Sequence, residues 1–128
     1  PHTGLFEFLE ELKIKKYKLA LGTSAPKMNV DFTLNSLGIR DYFDVIVDGS
    51  EVKKGKPDPE VYIKCSAFLG LQPDQCVVFE DSLAGLISGK NAGCHIIGVA
   101  TSHNKEELMS IVEDIIVDFT EIRKFITI

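Results

Sequence analysis

Short runs that are apolar on both faces alternate along this chain with stretches of helical period, and nothing else in the sequence restricts the fold as much. Residues 18–23 (KLALGT), 44–48 (DVIVD), 76–79 (CVVF), 94–100 and 115–117 read as strands. Between them, Leu5, Phe8, Leu9 and Leu12 recur at helical spacing among acidic and basic residues, which predicts an amphipathic helix over residues 3–16. Ser24 and Pro26 suit the N-cap and first turn of a second helix that runs to Leu37 and stops at Gly38. Asp58 and Pro59 open a third that runs through Leu69 to Gly70, and a Gly-rich fourth covers residues 83–91, with Gly93 near its C-cap. Two further helices are expected near residues 104–112 and 121–126. Strands buried on both faces and each followed by a helix imply a parallel sheet covered on both sides. The expected fold is therefore a single α/β domain over residues 1–128, a Rossmann-like three-layer α/β/α sandwich. Ligands of such sheets bind at the carboxyl ends of the strands, so functional side chains are sought there.

Composition narrows the partners. With 14 basic and 19 acidic residues the net charge is −5, against the basic surplus of a nucleic-acid binder. No apolar run approaches the roughly 18 residues of a membrane span. Cys65, Cys76 and Cys94 are odd in number and widely spaced, which argues against a disulfide framework or a CxxC zinc site. They read as small buried hydrophobes, and a reducing cytoplasm is the expected setting.

Three places meet the strand-end requirement: Thr23 with Ser24 after the first strand, Lys56 in the loop beyond the second, and Glu80–Asp81 after the third. Singly, each has a structural explanation: a strand end, one more solvated lysine beside Lys53 and Lys54, a helix cap. Together, a hydroxyl, an ammonium and two carboxylates on one edge suit a phosphate group and a hard divalent cation. A nucleotide loop is excluded. Between Gly49 and Gly55–Lys56 stand five residues where a Walker A loop has four, and Pro57 occupies the place of its Ser/Thr. No GxGxxG occurs, and His2, His95 and His103 show no ligand spacing.

The ordered series LALGTS (19–24), GKPDP (55–59) and VVFEDS (77–82) resembles the haloacid dehalogenase-like hydrolase superfamily, and most closely its β-phosphoglucomutase-like phosphatase branch. The resemblance runs along nearly the whole chain, including FDVIVDG and the NAG turn at 91–93. It implies phosphoryl transfer from a small phosphorylated metabolite through an aspartyl-phosphate, with Mg²⁺ as cofactor. Thr23 would bind the phosphate, with Ser24 beside it. Lys56 would stabilise the nucleophile and the transferring phosphoryl group, Asp81 would ligate Mg²⁺, and Glu80 would be a second ligand or an orienting residue.

The family's two aspartates sit on a DxD strand that precedes a helical cap, and no such strand is found here. Asp48–Gly49–Ser50 imitates its ending, but Ile46 stands where the nucleophile should be. The chain thus reads as the C-terminal portion of a core domain. The DxD strand and cap of the same protein are its expected partners, and the stretch alone is expected to be inactive. Strands 18–23 and 76–79 should flank the position of the absent strand, with 45–48 and 95–99 outside them. Mutases of the branch carry a Ser and a Lys where Ala25 and Pro26 stand, with Lys27 a possible substitute, which favours a phosphatase. A phosphomutase and a non-catalytic binding module remain the alternatives.

Overall fold

A computed structural model describes residues 4–100, 105–110, 112, 114–116 and 119. Helices α1 (Leu5–Ile14), α2 (Lys27–Leu37), α3 (Glu60–Leu69), α4 (Leu83–Ala92) and α5 (Lys105–Met109) alternate with strands β1 (Ala20–Gly22), β2 (Val45–Val47), β3 (Val77–Glu80), β4 (His95–Val99) and β5 (Ile115–Ile116). The expected α/β fold and its parallel pairing are both present. β1 pairs with β2, with Leu21 opposite Ile46. β3 pairs with β4, with Phe79 opposite Ile97, and β4 pairs with β5. β1 and β3 do not pair with each other, so the strands form a two-stranded and a three-stranded group. The expected order, with β2 outside β1 and β4 outside β3, is the observed one.

Alternation along the strands divides the core into layers. Leu19, Leu21 and Ile46 turn to one face, where Leu9 of α1 packs with Val30 and Leu34 of α2 and with Ile39. On the same side Phe8 and Leu12 of α1 meet Ile97, Val99, Ile116 and Phe119. The Phe8 ring lies edge-on to Phe79 at 5.3 Å and stacks on Phe119 at 5.4 Å. Ala20, Val45, Val47 and Val78 turn to the other face, against Val61, Tyr62 and Cys65 of α3. α4 completes that layer, and Leu86 packs with Leu108 and Val112.

The strands are shorter than the apolar runs. Residues 18–23 yield only Ala20–Gly22, because the side chain of Asp44, not a strand backbone, accepts the Leu19 N–H at 2.8 Å. Asp44 also pairs with Lys13 at 3.5 Å. The helix starts shift as well. Pro26, not Ser24, holds the N-cap position of α2, and Pro59 that of α3. Asp58 still performs the capping chemistry one residue early, since its Oδ1 accepts the Glu60 N–H at 3.0 Å. Ser82 caps α4 through the Gly85 N–H, and Gly38, Gly70 and Gly93 close α2, α3 and α4 in the left-handed region. Three 3₁₀ turns, at Arg40–Tyr42, Gly49–Glu51 and Pro73–Gln75, had no signal in the periodicity. The helix expected at 121–126 lies outside the described residues. No helix among those described is long and apolar enough to cross a membrane.

Candidate active site

A cleft of about 950 Å³ runs between the facing edges of β1 and β3. Residues 19–23 line one wall and residues 77–81 the other, with Phe8, Leu9 and Leu12 of α1 on one face and Tyr62 and Cys65 of α3 on the opposite face. Among the described residues, each wall carries a strand edge that pairs with no strand on that side, the arrangement that accepts an added strand. Lys16, Lys18 and Gln75 lie toward one end, and a separate group of polar residues gathers at the other, where β1 and β3 end. Thr23, Lys56, Glu80 and Asp81 all line the cleft there.

Local structure explains each placement. The Thr23 N–H continues the ladder to the Val47 carbonyl at 3.0 Å, so Thr23 leaves the sheet at a fixed height. Its Oγ1 accepts the Ala25 N–H at 3.1 Å, which leaves the hydroxyl hydrogen as a donor toward an anion. Ser24 lies off the cleft and ties the Lys56 loop to β1, its Oγ accepting the Lys56 N–H at 3.3 Å. Behind it, a Cβ on Gly49 would run into the Ser24 carbonyl, so only glycine allows this close approach. The turn at Gly49 is held by Asp48, which is 5% exposed and accepts from the Ser50 N–H and Oγ. Those bonds keep its carboxyl below the ordinary aspartate range. Asp48 is therefore the anchor of a loop, and its likeness to a DGT strand ending ends there.

Lys56 and Glu80 form the buried charge pair of the rim. The Lys56 ammonium donates to Glu80 Oε1, with the side chains 16% and 9% exposed. Removing one partner of such a pair costs about 3–5 kcal/mol, because the other is left charged and desolvated. Glu80 Oε1 also accepts the Tyr62 hydroxyl at 2.5 Å, and Ser82 Oγ approaches Oε2 at 3.3 Å. Gly85 lies against the carboxylate so closely that a Cβ there would overlap it. Tyr62 is the residue that sequence reasoning missed. In the helical pattern it is one more core aromatic, and only its phenol, on an otherwise apolar stripe, signals a polar task. Burial, then the Glu80 charge and hydrogen bond, push that phenol well above the ordinary tyrosine range, so it stays a donor.

For a divalent cation the rim offers hard oxygen donors of the right kind but not a full set. Asp81 is exposed at the end of β3, beside a Glu80 already engaged with Lys56. Among the described residues no group of three or more His, Cys, Asp or Glu side chains is arranged to hold a metal. Magnesium is held in many proteins by one or two carboxylates, with waters and phosphate oxygens completing six ligands, so Asp81 fits such a site. Glu80 can add only Oε2 to it, because Oε1 accepts from Lys56 and Tyr62.

The family model for haloacid dehalogenase-like hydrolases matches residues 1–99. A phosphorylated carbohydrates phosphatase of Thermotoga maritima is 46% identical over 102 residues, covering 79% of this chain and 47% of that protein. The validoxylamine A 7'-phosphate phosphatase of Streptomyces hygroscopicus subsp. limoneus is 35% identical over 120 residues, covering 94% and 56%. Among solved structures, CbbY from Rhodobacter sphaeroides in complex with phosphate superposes with a TM-score of 0.86 at 29% identity, over 94% of this chain and 55% of that one. The chain thus spans about half the length of the relatives it matches.

Proposed function

This chain belongs to the haloacid dehalogenase-like hydrolase family, and we propose that it forms the phosphate- and metal-binding half of a phosphoric monoester hydrolase acting on a small phosphorylated metabolite. The observation that carries the reading is the convergence of Thr23, Lys56, Glu80 and Asp81 on one end of one cleft. The phosphatase names of the two relatives point the same way. Thr23 and Lys56 bind phosphoryl oxygens, Ser24 holds the Lys56 loop in place, and Asp81 with Glu80 holds Mg²⁺. Bound there, the ion neutralises charge on the transferring group.

None of these four side chains is placed as the nucleophile. The nucleophile is an aspartate on an extended segment of the same protein that enters the cleft between β1 and β3. Its carboxylate attacks phosphorus as the bond to the substrate's ester oxygen breaks, and the second aspartate of that segment gives the departing alcohol its proton. Water then attacks the aspartyl-phosphate, freeing inorganic phosphate and restoring the carboxylate. Paired with both edges, the segment would complete a continuous sheet and present its carboxylate beside Lys56. Ala25 and Pro26, standing where mutases of the branch carry a Ser and a Lys, favour hydrolysis over mutase transfer.

The test is hydrolysis of p-nitrophenyl phosphate by the whole protein, with Mg²⁺ and with EDTA, alongside the 128-residue chain. The reading requires Mg²⁺-dependent turnover by the whole protein and none by the chain. Robust turnover by the chain alone would mean that the nucleophile has been misassigned.

A further inference from the structure

Tyr62 touches each of the three segments that build the polar rim. Its ring edge lies against Gly22, where a Cβ would come within 3.2 Å of Cε1. Its face lies 5.0 Å from the Lys56 ammonium. Its hydroxyl gives its single hydrogen to Glu80 Oε1, the oxygen that also accepts from Lys56. The side chain is 9% exposed.

We propose that Tyr62 is a positioning residue, which orients the Glu80 carboxylate and so presents the Lys56 ammonium at one fixed place on the rim. The role deepens the phosphoryl-transfer reading above and takes its functional meaning from it. A lysine reaches its target through four rotatable bonds, and a lone ion pair restrains them weakly. Here two further constraints act. The aromatic face lies beside the ammonium and attracts it. The hydroxyl occupies a second lone pair of the same carboxylate oxygen, so Glu80 cannot turn without breaking two bonds together. Ser82 and Gly85 close the far side of the carboxylate. Glu80 is thereby the relay between Tyr62 and Lys56. Tyr62 takes no part in proton transfer, because its hydrogen points at Glu80. Misplacing a catalytic group by about 1 Å costs up to a hundredfold in rate, which is why such a brace matters.

The experiment reads the Lys56 ammonium directly. In ¹⁵N-lysine-labelled whole protein, hydrogen exchange of Lys56 Nζ is measured by NMR in wild type, Tyr62→Phe, Glu80→Gln and the double variant. Phenylalanine keeps the ring and its packing on Gly22, so the fold is retained. The inference requires exchange at least about threefold faster in Tyr62→Phe, and no further acceleration when the same change is made in Glu80→Gln. Unchanged exchange in Tyr62→Phe, or an equal acceleration in both backgrounds, would overturn it, because a merely structural tyrosine does not act through Glu80. In turnover, Tyr62→Phe should lower kcat about three- to tenfold and leave KM within about twofold. The expected exchange pattern in a protein with no phosphatase activity would refute the phosphatase reading and leave the brace standing. Full activity without the coupling would do the reverse.

Discussion

The two ends of the cleft between β1 and β3 handle charge differently. At the carboxyl end of the strands, Lys56 and Glu80 keep charges within a largely buried network, satisfied by Tyr62 and Ser82. Toward the amino end the lining is mostly apolar, with Leu12, Leu19, Leu69, Leu71, Cys76, Val77 and Cys94. Lys16 and Lys18 stand at its exposed mouth, and Lys18 donates to the Leu69 carbonyl at 2.9 Å. Burial pushes the Cys94 thiol, at the amino end, up to about 11, and the Cys65 thiol, which lies against Gly22 nearer the rim, up to about 12. The rim thus holds a desolvated charge pair through hydrogen bonds, whereas the amino end keeps its charges at the exposed mouth. The contrast explains why an aspartate-bearing strand entering this cleft would have one usable direction, with apolar residues along the floor and its carboxylate at the rim.

Changes at the rim should act on chemistry, and changes at the floor on stability. The largest effect is expected from Asp81→Ala in the whole protein, which should lower kcat by at least about a hundredfold with a small change in unfolding temperature. Activity within about tenfold of wild type would remove Asp81 from the metal role. Next is Phe8→Ala at the apolar wall. It removes the ring that stacks on Phe119 and meets Phe79 edge-on, and should cost about 3–5 kcal/mol in urea unfolding, with KM unchanged.

Gly85 sits at the border between the two regions, against the Glu80 carboxylate, and Gly85→Ala probes both. The new methyl group must displace Glu80, so kcat should fall about tenfold, while the melting temperature moves by only a few degrees. A fall in stability without a fall in kcat would mean that Glu80 carries only structural weight.

The thiols give the smallest effect. Their folded values lie above the ordinary cysteine value of about 8.5, so the native state holds more protons than the unfolded chain between roughly pH 8.5 and 11. Their contribution to stability is complete below about pH 8.5 and declines as pH rises through the folded values. Iodoacetamide at pH 7.5, followed by mass spectrometry, should label Cys65 and Cys94 far more slowly in the native protein than in urea. Labelling at the unfolded rate would mean that the floor is not apolar.

How much of this was readable beforehand depended on the kind of signal. Alternating apolar runs gave the layers and the parallel pairing, since burial on both faces leaves its mark in composition. The order around the gap came instead from the family resemblance and the need for Thr23, Lys56 and Asp81 to converge. Strand length was overread at residues 18–23, because what ends β1 is a side chain, Asp44, 25 residues away in sequence. Thr23, Lys56, Glu80 and Asp81 were found through motif spacing, since strand ends fix where they emerge. Two details needed tertiary structure. Glu80 turned out to be committed to Lys56, and Tyr62 to be its second donor. Helical period marks the face on which a tyrosine lies but is silent on what its hydroxyl reaches.

Phosphatase function at this cleft requires that the rim at the carboxyl ends of β1 and β3 receive a phosphoryl group. Crystals of the whole protein grown with Mg²⁺ and orthovanadate test this directly. The account predicts vanadate within hydrogen-bonding distance of Thr23 Oγ1 and Lys56 Nζ, with Mg²⁺ on Asp81 and an aspartate-bearing strand paired to both β1 and β3. Vanadate bound elsewhere, or β1 and β3 paired directly with each other, would contradict it.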